Sequence, residues 1–438
     1  MKVTGSTVAE IYESVRLQVL SGGLKAGDTL PPVRELAAQL AVNRNTVASA
    51  YKRLAGDGIA VTQGRLGTTI YTPPDQGEQE GRSPDSPLRD MASGNPNPLW
   101  LPNVAALLSA AHFSPRLYGD ATVNDGLRAL AASWFEGDCP AGHALDLSHG
   151  AVDAIERLAA AHLVVGDKVA VEDPCFLGTI NALRIAGMQT AGVAIDAEGM
   201  LPAALEAVLK AGARAVLVTP RAHNPTGCSL TPERAAALQK VLARYPHVLV
   251  VIDDHFALLA DSPYHSLLPA STTRWALVRS MSKALGPDLR LAFVASDPAT
   301  SQKLRLRLAP GMTWVSHLLQ DLVEACLRSA AVAAQIRFAR ESYAARRQEM
   351  LGALSDQGIS AQAPMDGFNV WVPLAPGTPL TGDGRAVCHA MARLGWLVRA
   401  GDAFDVQQQT QALRITVSTL EPGQAALLAR DLRRCLVR

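Results

Sequence analysis

Eighteen residues, Pro73 to Asp90 (PPDQGEQEGRSPDSPLRD), most constrain what this chain can fold into. They are rich in Pro, Gly, Ser and charge and nearly lack apolar side chains. Such a stretch cannot bury enough surface to offset the entropy of ordering it, so 73–90 reads as a flexible linker. It divides the 438 residues into a compact head, 1–72, and a long body, 91–438. Charge divides at nearly the same place. Residues 1–74 hold eight Lys/Arg and five Asp/Glu, a net of +3, against −2 for the rest. The formal total of +1 alone argues against binding nucleic acid through bulk charge, yet it is the sum of a basic head and a mildly acidic body.

Other classes fall away quickly. No apolar run approaches the ~20 residues needed to cross a bilayer. The start, MKVTGSTVAEIYESV, lacks a signal-peptide core, so a cytoplasmic protein without a membrane partner is expected. The six cysteines are scattered, with no C-x-x-C and no Cys/His cluster at zinc spacing. Reduced thiols and no metal site are expected. Hydrophobic residues at 48% leave ample material for a large core. No internal repeat is evident.

In the head, Val8, Ile11, Val15 and Val19 recur on one helical face. Pro31 and Pro32 open a second helix with Val33, Leu36, Ala37 and Leu40 apolar. After the short turn Ala41-Val42, Asn43 is a good N-cap for a third helix with Val47, Tyr51 and Leu54 inward. Helix–short turn–helix is the geometry that sets a second helix into the DNA major groove. The leading residues of that helix, Arg44, Asn45 and Thr46, carry groups suited to guanine, adenine, and phosphate or a thymine methyl. Two strand-like runs around Gly64 and Gly67 read as a hairpin wing with Arg65 at its tip.

The body alternates short apolar runs with Ala-rich helical stretches. Lys168–Val171, Ala215–Val218, Val248–Ile252, Ala276–Val278 and Leu291–Ala295 each suit a strand buried on both faces. This is the pattern of an α/β domain with a mostly parallel sheet. Ligands of such sheets bind at the carboxyl ends of strands, and polar residues cluster there: Asp173, Asn224-Pro-Thr-Gly227, Asp253 and Ser280–Lys283. One cofactor accounts for the set. Pyridoxal 5'-phosphate needs an amine for a Schiff base, an acid beside its ring nitrogen, and a phosphate cup. Lys283 is the candidate amine and Asp253 the acid. Gly150 and Ala151 open a helical run whose N–H groups can face phosphate, and Ser280, Ser282 and Arg290 can complete the cup.

The head, through LPPVRELAAQLAVNRNTVASAYKRLAGDGIAVTQGRLGTTI, resembles the winged helix-turn-helix of GntR-type bacterial regulators. That resemblance implies contacts to double-stranded operator DNA by Arg34, Arg44, Asn45, Thr46 and the wing at Gly64 and Arg65. The body resembles fold-type I pyridoxal-phosphate enzymes, the aspartate aminotransferase superfamily. The match rests on Tyr118-Gly119-Asp120, Glu172-Asp173-Pro174, Asn224-Pro225-Thr226-Gly227, Asp253, Ser-x-Ser-Lys283 with Arg290, and Arg414, in that order. By resemblance, Asn224 bonds the cofactor's phenolic oxygen and Phe176 or a nearby side chain covers its ring. Tyr118 reaches the phosphate held by a partner subunit, and Arg414 holds a ligand carboxylate. The fold implied is a large lobe of about 110–330 and a smaller α+β lobe of about 335–438 plus 91–109, in a head-to-tail homodimer.

There is one departure. The family's Tyr, two or three residues after the Asp, is replaced here by His255 and Phe256. His255 can still donate to the phenolic oxygen; Phe256 cannot. Head, linker and body together resemble the MocR/GabR subfamily of GntR-type regulators. That implies a pyridoxal-phosphate-responsive regulator, a repressor of a vitamin B6 salvage (pyridoxal kinase) gene, with Lys283 serving sensing rather than turnover. An amine or amino acid is a candidate second effector. The alternative is a catalytically active aminotransferase with an appended DNA-binding head.

Overall fold

The computed structural model describes residues 3–57, 59–62, 67–70, 80–81, 86–108, 113–374, 383–407 and 410–436. The chain forms two compact units, Met1–Gly77 and Glu78–Arg438.

In the first unit, Thr7 opens helix α1 (Val8–Leu20) with a capping box: its hydroxyl accepts from the Glu10 N–H, and the Glu10 carboxylate accepts from the Thr7 N–H. Ile11 and Val15 are fully buried, while Val8 and Val19 border the same core. Helix α2 (Val33–Leu40) ends where Ala41 adopts a left-handed φ of 53°, which turns the chain sharply. Helix α3 (Arg44–Gly56) follows, capped by Asn43, whose Oδ1 accepts from the Asn45 N–H at 2.8 Å. Val47, Ala50, Tyr51 and Leu54 face the core, and the Tyr51 hydroxyl donates to the Pro31 carbonyl at 2.8 Å. Strands β1 (Ala60–Thr62) and β2 (Thr68–Ile70) pair antiparallel, Ala60 opposite Ile70. The turn between them, with Gly64 and Arg65, lies outside the described residues.

The second unit is built on a sheet of eight described strands. Across it run Ala144–Ser148, Ala292–Ser296, Trp275–Ser280, Leu249–Asp253, Ala215–Val218, Lys168–Asp173, Gln189–Asp196 and Gly199–Met200. The five strands from Trp275–Ser280 to Gln189–Asp196 are parallel; Ala292–Ser296 runs against both its neighbours. All five apolar runs seen in the sequence are strands here. Their side chains alternate between two cores: Val250 and Ile252 join one, Leu249 and Val251 the other. Burial on both faces is why these runs are continuously apolar.

A smaller antiparallel sheet joins Asn369–Pro373, Ala412–Thr416 and Arg399–Ala400. The long helix Ala330–Asp356 and the helix Gln424–Leu436 pack on it around Val370, Ile415 and Leu428. Two boundaries differ from the sequence reading. Arg89 and Asp90, read as the end of the linker, form a strand beside Trp396–Leu397. Val104 and Leu107, assigned to the smaller lobe, pack on the core of the larger one. No helix among the described residues is long and apolar enough to cross a membrane.

Candidate cofactor and DNA sites

Two neighbouring parallel strands end in polar residues that build the body's site: Asp253 ends one and Ser280 the next. They open on a cavity of about 150 Å³. Lys283, Asp253, His255, Asn224, Phe176, Ala151, Ser280, Ser282 and Arg290 all line it. The sequence places these residues up to 139 positions apart, from Ala151 to Arg290, and the fold converges them.

Lys283 stands in the short helical turn after Trp275–Ser280. Its Nζ donates to the Gly94 carbonyl at 2.8 Å and lies 5.4 Å from the centre of the Phe368 ring. Burial lowers its pKa from 10.5 to about 8, with Arg414 adding to the shift and Glu80 and Asp253 opposing it. Asp253 is buried, and its Oδ1 has no hydrogen-bond partner. Burial, then the neighbouring Asp254, raises its pKa to about 7. His255 Nδ1 is also buried without a hydrogen-bond partner, 3.8 Å from Asp253 Oδ2, and burial pulls the His255 pKa down to about 4. Phe256 turns away into the smaller lobe's core, its ring 4.9 Å from that of Phe368.

The phosphate end is equally specific. Gly150 has φ +98°, and a Cβ there would stand 3.2 Å from Arg290 Cζ. Only glycine lets the guanidinium lie so close to the start of the helix Ala151–His162. Ser280 Oγ and Ser282 Oγ share a hydrogen bond at 2.8 Å on the same cavity wall. Phe176 leans on Gly178, where a Cβ would meet the ring edge at 2.5 Å. These residues fit pyridoxal phosphate. A buried carboxylate with an oxygen left unpartnered is unfavourable alone and suits a cationic ring nitrogen. A glycine-lined helix start with Arg290 and two hydroxyls suits a dianion.

Besides Gly150, which backs onto Arg290, two predicted residues stand apart from this cavity lining. Tyr118 is 93% exposed, its ring 5.5 Å from that of Trp314. Arg414 is fully buried in Ala412–Thr416, where Asn224 Oδ1 accepts from its Nη1 at 2.9 Å. Sequence reasoning missed the residues that hold the site in place. Asp254 receives both Arg221, at 2.7 and 2.8 Å, and Arg279, at 3.0 Å. This buried cluster fixes the segment after Asp253. Their positions beside Asp253, Ser280 and the Asn224 turn were the available signal. Glu80, which pairs with Arg414, left no sequence signal at all.

In the head, Arg34, Arg44 and Asn45 are exposed and Thr46 is half-buried. Arg34 begins α2; the other three begin α3. The start of α3 is thus exposed and carries the cationic Arg44.

The family described as bacterial regulatory proteins, gntR family, matches residues 7–70, and the family described as aminotransferase class I and II matches residues 89–432. The chain belongs to the class I and II aminotransferase family and carries a gntR-type DNA-binding head, the combination of the MocR-type regulators. It is 52% identical, over the whole of both chains, to the vitamin B6 salvage pathway transcriptional repressor PtsJ of Salmonella typhimurium. It is 26% identical to the probable rhizopine catabolism regulatory protein MocR of Rhizobium meliloti, over 82% of this chain and 78% of that one. A solved kynurenine aminotransferase of Pyrococcus horikoshii superposes with a TM-score of 0.72 at 21% identity, covering 80% of this chain and 91% of the other. That likeness is one of fold.

Proposed function

We propose that the chain is a transcriptional repressor of a vitamin B6 salvage gene, that of a pyridoxal kinase, with pyridoxal 5'-phosphate as its signal. Asp253 carries the cofactor half of this reading: a buried carboxylate, one oxygen without a hydrogen-bond partner, facing the same cavity as the Lys283 amine. When bound, pyridoxal phosphate supplies an aldehyde for that amine and a ring nitrogen that is cationic beside a carboxylate. Burial holds the Lys283 pKa down near 8, so more of its amine is neutral near neutral pH than in an exposed lysine. Asp253 holds the ring nitrogen, and the Ala151 helix start with Ser280, Ser282 and Arg290 holds the phosphate. Asn224 and His255 flank the phenolic oxygen, and Phe176 covers the ring.

Phe256 in place of a phenol favours sensing over turnover, because one donor that tunes the lysine is gone. The head reads operator DNA through Arg44 and Asn45 at base edges, with Arg34, Thr46 and the wing at Gly64 and Arg65 on the flanks. A head-to-tail homodimer in the cytoplasm is part of this reading. Tyr118, exposed and clear of its own cavity, is then available to a partner's site, and Leu117 and Met312 are exposed as well. Two heads would read paired half-sites. The signal acts only by binding two arrangements of the dimer unequally.

A footprint upstream of the pyridoxal kinase gene of the same genome tests the reading: a specific protected region is expected, and none contradicts it. Multiple turnovers of transamination with an amino-acid panel would replace the sensor with an enzyme.

A further inference from the structure

Arg414 lies mid-strand opposite Trp371, with no exposed surface. Both oxygens of the Glu80 carboxylate engage its guanidinium: Oε2 accepts from Nη2 at 2.9 Å, and Oε1 accepts from Nη1. Asn224 closes the arrangement. Its Oδ1 accepts from Arg414 Nη1 at 2.9 Å, and its Nδ2 donates to Glu80 Oε1 at 3.4 Å. This two-pronged grip is the one an arginine offers to a small carboxylic acid. Gly94 makes room for it. Its φ is +65°, and a Cβ there would stand 2.5 Å from Glu80 Oε2 and 3.3 Å from Arg414 Nη2. The Gly94 carbonyl accepts from Lys283 Nζ, so the filled place adjoins the reactive amine. Burial pushes the Glu80 pKa up, but Arg414, then Lys283 and Arg399, outweigh it and hold the carboxylate below its usual range.

We propose that Glu80 is a specificity-determining residue: its carboxylate fills the place beside Arg414, Asn224 and Gly94 that an amino acid's carboxylate needs, so the body takes the cofactor and turns amino acids away. This rests on the cofactor reading above. A buried guanidinium left without a partner is strongly unfavourable, and Glu80 supplies the counter-charge from within the chain. A free amino acid has to displace it. Pyridoxal phosphate does not, because Asp253, Ser280 and Arg290 line a cavity that Arg414 does not. If the displaced state holds about 0.1–10% of the population, amino-acid affinity falls by about 10- to 1,000-fold.

The test uses the full chain loaded with pyridoxal phosphate and mixed with L-alanine or L-aspartate. The visible absorbance of the lysine-bound cofactor is followed. Glu80→Ala is expected to respond at about 10- to 1,000-fold lower amino-acid concentration than wild type. Glu80→Gln, which keeps the size and loses the charge, moves in the same direction and decides the matter if the alanine variant does not fold. Acetate is expected to suppress the response of Glu80→Ala by refilling the place. A second arm needs no cofactor: succinate is titrated calorimetrically into the cofactor-free chain and binds both variants more tightly than wild type. Equal succinate affinity in all three proteins overturns the proposal. Absence of lysine-bound absorbance in wild type overturns the cofactor reading instead, and the succinate arm still decides the role of Glu80.

Discussion

Asp253→Asn separates the cost of an empty site from the gain of a filled one. The Asp253 carboxylate ends a buried strand, and burial with Asp254 beside it raises its pKa from 3.8 to about 7. At about 1.4 kcal/mol per tenfold, that is about 4 kcal/mol against the ionised form. Between about pH 4 and 7 the folded chain holds a proton that the unfolded chain has released. This group's contribution to stability therefore falls as pH rises through that window, and it is fully unfavourable above pH 7. Asparagine keeps the shape without the charge. Cofactor-free Asp253→Asn is expected to be more stable than wild type at pH 8, by up to about 4 kcal/mol, with the gain fading toward pH 4. A cationic ring nitrogen reverses the balance, since an adjacent positive charge favours the carboxylate. The variant is therefore expected to bind pyridoxal phosphate about 100- to 1,000-fold more weakly. Urea unfolding of the cofactor-free proteins at pH 5 and pH 8, with equilibrium dialysis for the cofactor, measures both effects. A variant that is less stable than wild type at pH 8 and binds the cofactor equally well would refute this reasoning.

Three further outcomes are expected. Lys283→Ala loses the visible absorbance of the bound cofactor and the borohydride-trapped adduct; an adduct that persists rejects Lys283 as the anchor. Gly150→Ala places a methyl 3.2 Å from Arg290 Cζ at a φ of +98°, and it weakens pyridoxal phosphate about tenfold or more while leaving unphosphorylated pyridoxal unaffected. Equal losses for both ligands would place the phosphate elsewhere. Arg44→Ala weakens specific operator binding by about 1–3 kcal/mol, read by fluorescence anisotropy, and leaves cofactor binding unchanged.

What the sequence revealed followed from strong local physics. Strands buried on both faces must be apolar throughout, so Ala215–Val218 and Leu249–Asp253 stood out, and with them the polar residues at their ends. Ala144–Ser148 and Gln189–Asp196 were missed because Asp146, Gln189 and Gly192 interrupt their apolar pattern. Asp146 survives in a buried strand by accepting from Ser301 and Arg305, both at 2.6 Å, partners more than 150 residues away. The buried His223–Glu172 pair was equally hidden. Burial drives the two in opposite directions, His223 down to about 3 and Glu172 up to about 8. The pairing of Glu80 with Arg414 spans 334 residues and begins in a stretch whose composition reads as linker. In the head, Asn43, Val47 and Tyr51 revealed the third helix because caps and helical spacing are local signals.

The central claim is that cofactor occupancy at Lys283 changes how the head holds its operator. Operator affinity of the full chain, measured by fluorescence anisotropy at fixed salt with and without saturating pyridoxal phosphate, tests it most directly, with Lys283→Ala alongside. The cofactor is expected to shift wild-type affinity or binding stoichiometry and to leave Lys283→Ala unchanged. Identical titrations with and without the cofactor in wild type would contradict it.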